Sequence, residues 1–377
     1  MPENSAAWLL APRTRLTVGP AEMPRPAFGE VIVRVRAVAI NPLDWIIQGT
    51  GQVTYRWLSG PTVLGTDVAG EVTAVGEGVA RFRIGDRVVG LATGTDRGRD
   101  TRHEGGFQLY TALLEQLTAP LPDGMDYSSA AVLPLAVSTA ACGLFQQQNL
   151  GLRLPESPTA DGEPHERPAG PETVLIWGGS TSVGSAAVQL ATEAGYRVIS
   201  TASPRNFDFV RSLGAEAVFD YRGPSVIEDI RRHLGATPLR SALAVGAGSA
   251  GAALRLLDRG GRLAMASTPL SLEALAARKR LFPAMVPVFG RVGASMTGLM
   301  IRARVAGVRT SFIWGSSLRD DEVGPAIWRD YLPGALAAGG FLPRPEPMVV
   351  GDGLDAIQDA VVRLRAGVSA QKVVVTL

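Results

Sequence analysis

Among 377 residues there is one cysteine, Cys142, and there are three histidines, His103, His165 and His233. A single thiol cannot close an internal disulfide, so nothing in the chain asks for an oxidising compartment. Cys142 lies in an apolar stretch and reads as a small core residue, not a nucleophile. Catalytic zinc needs three protein ligands and an open position. The histidines fall in a glycine-rich loop, a proline-rich loop and a helical pattern, with no ligand spacing joining them. A cysteine-rich structural zinc lobe cannot be built. The expectation is a metal-free protein whose substrate is activated by hydrogen bonds or is intrinsically electrophilic.

Net charge is equally scarce. Lys and Arg number 37 and Asp and Glu 35, a balance of +2. Nucleic acid wants a concentrated basic face, so it is not an expected partner. The cluster Arg278-Lys279-Arg280 reads as a solvated helix face. Met1 to Trp8 lacks the basic region and apolar run of a signal peptide. Leu281 to Ile301 is apolar, but Pro283, Pro287, Gly290, Arg291, Gly293 and Gly298 argue against a membrane-spanning helix. The expectation is a cytoplasmic protein with no membrane partner.

What the chain does have is apolar mass and turn residues. A hydrophobic fraction of 46% with 19% charged residues supports real cores and argues against disorder. The 44 glycines and 26 prolines point to many tight turns. The length suits two domains.

The first part reads as β structure. Glu30 to Ile40 alternates apolar and polar residues like a half-buried strand, and Val68 to Val79 and Arg81 to Gly90 add strands with glycine turns. Short strands so punctuated suggest a small barrel. Ser128 to Gln148 reads as helix. Leu154 to Pro171 is polar and proline-rich, an exposed loop carrying a solvated His165. From Thr173 strands alternate with helices: strands at Thr173–Trp177, Arg197–Thr201, Ala217–Tyr221, Leu239–Val245 and Arg262–Ala266, with helices between. That alternation implies a parallel sheet covered on both faces. Residues 270–311 read as helices near the active-site cleft. Pro347–Val350, a helix at Leu354–Ala366 and a strand at Lys372–Thr376 close the chain.

The chemistry starts where Thr173–Trp177 runs into Gly178-Gly179-Ser180-Thr181-Ser182-Val183-Gly184 and then a helix. A strand, a glycine turn and a helix N-terminus favour a pyrophosphate through free N–H groups and the helix dipole. Counting from Gly179, Thr181 stands at the second glycine position of the dinucleotide fingerprint and Gly184 at the third. Thr181 would hold the backbone slightly off the phosphates and offer a hydroxyl donor. An NAD site wants a carboxylate about 20 residues on. Ser200 to Asn206 holds none, but Ser203, Arg205 and Asn206 could bind a ribose phosphate, with Tyr221 adding a hydroxyl. The expected cofactor is NADPH.

In ordered succession the chain carries Asn41-Pro42-Leu43-Asp44-Trp45, Leu64 to Gly70, Gly85-Asp86-Arg87-Val88, Gly105-Gly106-Phe107, the glycine turn, Ser203 to Asp208, Leu213-Gly214-Ala215, Phe219-Asp220-Tyr221 and Gly260 to Leu263. Together these resemble the medium-chain dehydrogenase/reductase superfamily, in its zinc-independent quinone oxidoreductase and trans-acting enoyl reductase branch. The resemblance implies an α/β fold: a GroES-like β-barrel substrate domain with an inserted Rossmann domain, a doubly wound parallel sheet. The expected segments are 1–136 for the first part of the substrate domain, 137–308 for the Rossmann domain, and 309–377 completing the first.

The resemblance also implies NADPH in the cleft and hydride transfer to a carbon–carbon double bond conjugated to a carbonyl, often in an enoyl thioester. It implies as partner a small molecule or an acyl thioester, carried by an acyl carrier protein or polyketide synthase. Pro42, Asp44 and Trp45 would flank the nicotinamide, and Gly179 to Gly184 the pyrophosphate. Ser203, Arg205, Asn206 and Tyr221 would hold the adenosine phosphate. Thr139, Thr268, Pro269, Val368 and Ser369 would complete the cofactor site. Leu133, Pro134, Leu135, Val137 and Ser138 would line the substrate. Asn41 would orient the nicotinamide or the substrate carbonyl, or else simply form the turn before Pro42. The branch commonly has Lys after the Asp-Trp pair, where this chain has Ile46, so one contact is missing. Tyr55 is the nearest candidate proton donor, displaced by a few residues. Quinone reduction on the same scaffold, and a non-catalytic cofactor-binding role, are the alternatives.

Overall fold

The computed structural model describes residues 3–51, 55–156, 172–267 and 281–377 of the chain. Two compact units result, one built from Met1–Leu135 with Gly324–Leu377, the other running from Ala136 to Val323 among the described residues.

The first unit begins with strands β1 (Asn4–Leu9), β2 (Thr17–Ala21), β3 (Glu30–Ala39), β4 (Thr62–Val63), β5 (Asp67–Val75), β6 (Arg87–Leu91), β7 (Tyr110–Leu114) and β8 (Thr118–Pro120). Helix α1 (Pro42–Thr50) follows β3 directly. β3 is less half-buried than its alternation predicts: only Arg34 of its ten residues is exposed. The reason is its place, since it pairs with β5, with β7 along its first half and with the final strand along its second. Strand β1 pairs with β2 and β4 in a small sheet, and its backbone also bonds residues 107–109.

The second unit opens on α2 (Pro134–Phe145), which begins in the first unit, and holds β9 (Thr173–Trp177), α3 (Ser182–Glu193), β10 (Arg197–Ala202), α4 (Phe207–Ser212), β11 (Ala217–Asp220), α5 (Val226–Leu234), β12 (Leu239–Ala244), α6 (Ser249–Leu254), β13 (Arg262–Met265), α7 (Leu281–Ala306) and β14 (Arg309–Phe312). All pairs in its sheet are parallel, in the order β11-β10-β9-β12-β13-β14. The order reverses between β9 and β12, the switch point at whose carboxyl side ligands bind in such sheets. β9 is buried at all five positions, which is why Val174 to Trp177 form an unbroken apolar run.

Two expectations change. The parallel sheet does not stop at residue 308: β14 pairs with β13, and the second unit runs to Val323. Residues 281–312 are not helices alone but one helix and this edge strand; 270–280 lie outside the described residues. The chain then returns to the first unit with β15 (Glu346–Asp352), α8 (Ala356–Arg365) and β16 (Gln371–Thr376), which pairs antiparallel with β3. The stretch Tyr127–Phe145 is apolar and long enough to cross a membrane, but 83% of it is buried within the protein, as a core helix would be.

Candidate functional site

The glycine turn is built by close approach. Gly178 has φ 93°, in the left-handed region. A Cβ on Gly184 would lie 2.1 Å from the Gly178 carbonyl oxygen, and one on Gly179 2.2 Å from the Ser200 hydroxyl. Neither position accepts a side chain without moving backbone or sheet. Thr181 is the N-cap of α3. Its hydroxyl donates to the Gly178 carbonyl at 2.8 Å and accepts the Gly184 amide at 3.0 Å. The expectation that this hydroxyl serves as a phosphate donor is therefore corrected, because its proton is spent inside the turn. The Ser182 and Val183 amides have no acceptor among the described residues, as the first N–H groups of a helix do not. Half-buried Ser180 stands beside them.

The neighbouring strands deliver the second part of this site. Ala202 of β10 lies opposite Asp220 of β11 in parallel register. Ser203 to Asn206 and Tyr221 thus leave the same end of the sheet as the turn. Arg205 is exposed, Ser203 half-buried, and Asn206 buried at 8% exposure. Tyr221 is 39% exposed, and the Arg222 guanidinium lies 5.0 Å from its ring centre. Arg222 is a second cation here that the sequence reading missed. Its signal was only its place directly after a strand end.

In the first unit, residues 41–45 behave differently from expectation. The Asn41 Nδ2 donates to Thr66 Oγ1 at 3.1 Å and to Asp67 Oδ2 at 2.8 Å, and its Oδ1 accepts from Lys372 Nζ. With both donors spent and its oxygen bound to an ammonium, the amide has no donor left to orient a nicotinamide or carbonyl. Asp44 is 1% exposed, and its two oxygens accept the Asn41 amide at 2.7 Å and the Gly65 amide at 3.2 Å. Burial pushes its carboxyl up to about 7; Asp67 adds to the rise, while the bonded amides and Lys372 oppose it. Trp45 is 6% exposed and belongs to the core of this unit. Pro42 alone of the three expected cofactor contacts is exposed. Tyr55 is 8% exposed, its ring 5.1 Å from that of Trp57. Burial, with the charges of Asp96 and Asp44, raises its phenol well above the ordinary value, which makes it a poor acid.

Leu133 and Pro134 are buried and Leu135 half-buried at the entry to α2; the Leu135 amide donates to Asp67 Oδ1 at 2.6 Å. Val137, Ser138 and Thr139 lie further along α2 in the second unit, all buried. Val368 packs against the core of the first unit, and Ser369 follows it, half-buried. Thr268 and Pro269 lie outside the described residues. The structure thus gathers Gly179–Gly184, Ser203–Asn206 and Tyr221 at one sheet end, and separately gathers Asn41, Asp44 and Leu135 around Asp67 and Lys372. Neither Asp67 nor Lys372 was singled out from the sequence.

Among the described residues no three His, Cys, Asp or Glu side chains converge as a metal would require. Cys142 is fully buried, and burial pushes its thiol up to about 12, so it stays protonated. The nitrogens of His103 and His233 face Asp100 and Glu216, at 3.7 and 3.4 Å. His165 lies outside the described residues. A cavity of about 540 Å³, lined by Arg153, Glu172, Tyr196, Arg240 and Arg262 among others, opens at the amino ends of the parallel strands. That is the opposite end from the glycine turn, and no expected site residue lines it.

A three-two-one-four-five-six parallel sheet with this turn, joined to a β-rich unit made from both ends of the chain, defines a medium-chain oxidoreductase architecture. Residues 27–123 match the alcohol dehydrogenase GroES-like domain and residues 182–300 the zinc-binding dehydrogenase domain. A Monascus ruber protein named dehydrogenase pigH is 45% identical over 381 residues, covering 100% of both chains. An Aspergillus japonicus protein named trans-enoyl reductase himH is 37% identical, covering 99% of this chain and 97% of its own. The crystal structure of an alcohol dehydrogenase superfamily protein from Novosphingobium aromaticivorans superposes with a TM-score of 0.73 at 24% identity, covering 99% of each chain. The chain belongs to the medium-chain dehydrogenase/reductase superfamily and is an oxidoreductase of that kind. The zinc implied by one matched domain finds no fitting donor set among the described residues.

Proposed function

We propose that this chain is an NADPH-dependent reductase of carbon–carbon double bonds conjugated to a carbonyl, enones or enoyl thioesters, working without a metal. The observation that carries the reading is the pair of open amides, Ser182 and Val183, at the N-terminus of α3 on the carboxyl side of the sheet. They and the α3 dipole would hold the diphosphate. Exposed Arg205 and Arg222, with Ser203 and Tyr221, would hold the ribose phosphate, and no carboxylate stands among residues 200–206 to repel it.

When bound, the dihydronicotinamide supplies a hydride. The chain's own work in this reading is to orient the acceptor and to stabilise negative charge on its carbonyl oxygen by hydrogen bonds. The α-carbon takes its proton from water in this reading, because the Tyr55 phenol is buried and weakly acidic. The name carried by the Aspergillus japonicus relative favours an enoyl acceptor. An acyl thioester presented by an acyl carrier protein or polyketide synthase is the natural form of it, and a cytoplasmic location follows from that supply.

Purified protein incubated with NADPH and either an enoyl thioester or a quinone tests the reading. Loss of the dihydronicotinamide absorbance is expected with the thioester. Loss with the quinone alone would replace this reading with quinone reduction. Tight binding without oxidation across a broad electrophile panel would mark a non-catalytic relative.

A further inference from the structure

The chain contains only two lysines, Lys279 and Lys372, among its 37 cationic side chains. Lys372 is buried, its side chain 4% exposed, and its ammonium lies 2.9 Å from the fully buried Asp67 carboxylate. Asp67 also accepts the Asn41 side-chain amide at 2.8 Å and the Leu135 backbone amide at 2.6 Å. Lys372 in turn bonds Asn41 Oδ1. Three remote segments therefore end on one carboxylate: the entry to α1, the entry to α2 and strand β16. A compact ammonium can sit between two oxygens in this space, where a planar guanidinium would demand more room.

We propose that Asp67 and Lys372 are positioning residues for the acceptor: an ion pair that locks the backbone of residues 41–45 to that of residues 133–135. This rests on the reductase reading given above. The phosphate contacts of that reading, Ser182, Val183, Arg205 and Arg222, all lie in the second unit, so the pair should govern acceptor turnover and leave the phosphate-dominated cofactor affinity nearly unchanged. Its charges touch neither reactant. They fix the segments that would.

Lys372→Met tests this through separate constants. The expected result is a fall in kcat/KM for an enoyl thioester of about a hundredfold, the cost of roughly 1 Å of misplacement, with the NADPH dissociation constant within about twofold of the parent. Should Lys372→Met fail to fold, Asp67→Asn/Lys372→Met removes both charges together and is expected to show the same acceptor defect. Parent-like acceptor kinetics in a folded variant would overturn the proposal. So would an equal loss of acceptor turnover and NADPH affinity, the mark of general structural damage. A parent protein that neither binds nor oxidises NADPH overturns the reductase reading itself, and this role with it.

Discussion

The Thr181 hydroxyl is held from both sides, giving its proton to the Gly178 carbonyl and receiving the Gly184 amide. It closes the turn without addressing a ligand. Thr181→Ala should therefore behave as a lost cap, costing about 1 kcal/mol, and NADPH affinity should change by no more than about threefold. Gly184→Ala is the contrasting case, because its Cβ meets backbone at 2.1 Å and only the whole turn can yield. Calorimetry with a fluorescence titration checks both; a hundredfold affinity loss in Thr181→Ala, on the order of a strong charged contact, would restore the hydroxyl as a phosphate donor.

Arg205 is an exposed guanidinium at the end of β10, beside a strand end that offers Tyr221 and Arg222. Arg205→Ala should weaken NADPH by about tenfold to a hundredfold, the worth of one charged hydrogen bond. NADH affinity should not move, since it lacks the phosphate. Arg222→Ala should act in the same direction. Equal effects on both nucleotides would show that neither arginine reads the phosphate.

Much of the second unit could be read from its residues, because a fully buried strand such as Thr173–Trp177 carries a continuous apolar run, Val174 to Trp177, that ends on a glycine turn. β14 could not: Arg-Thr-Ser-Phe at a sheet edge has mixed polarity and forms no apolar run. The turn was legible because a side chain at Gly179 or Gly184 would collide with Ser200 or with the Gly178 carbonyl, which dictates glycine at fixed positions. The node was not, because the Asn41–Asp67, Leu135–Asp67 and Lys372–Asn41 bonds span 26, 68 and 331 residues of sequence and no local pattern encodes them. The same fact explains why Asn41 looked available. Its partners are invisible until the strands pair.

Asp44 makes stability depend on pH. Its folded carboxyl sits near 7 against an ordinary 3.8, so the folded chain holds an extra proton between those values. That contribution is full below about 3.8 and disappears as pH rises through about 7. Asp44→Asn removes the slope, at a cost of about 1–3 kcal/mol for one acceptor lost from a buried pair of amides. Urea midpoints measured from about pH 5 to 8 should fall for the parent and stay nearly flat for the variant. Parallel profiles would mean that Asp44 is ionised throughout.

Tyr55 carries a phenol raised by burial and by two acidic neighbours. If water supplies the α-proton, Tyr55→Phe should keep kcat within about threefold of the parent. A drop of about a hundredfold or more, the scale of a lost general acid, would return the role to this side chain.

The amides of Ser182 and Val183, with the arginines at the neighbouring strand ends, form the proposed grip on the cofactor's phosphates. Energy transfer from tryptophan to bound dihydronicotinamide, with Trp177 directly before the turn, gives dissociation constants for NADPH and NADH on one sample. Saturable binding is expected, with NADPH favoured by at least about tenfold, roughly 1.4 kcal/mol. No saturable transfer with either nucleotide, or equal affinity for both, would contradict it.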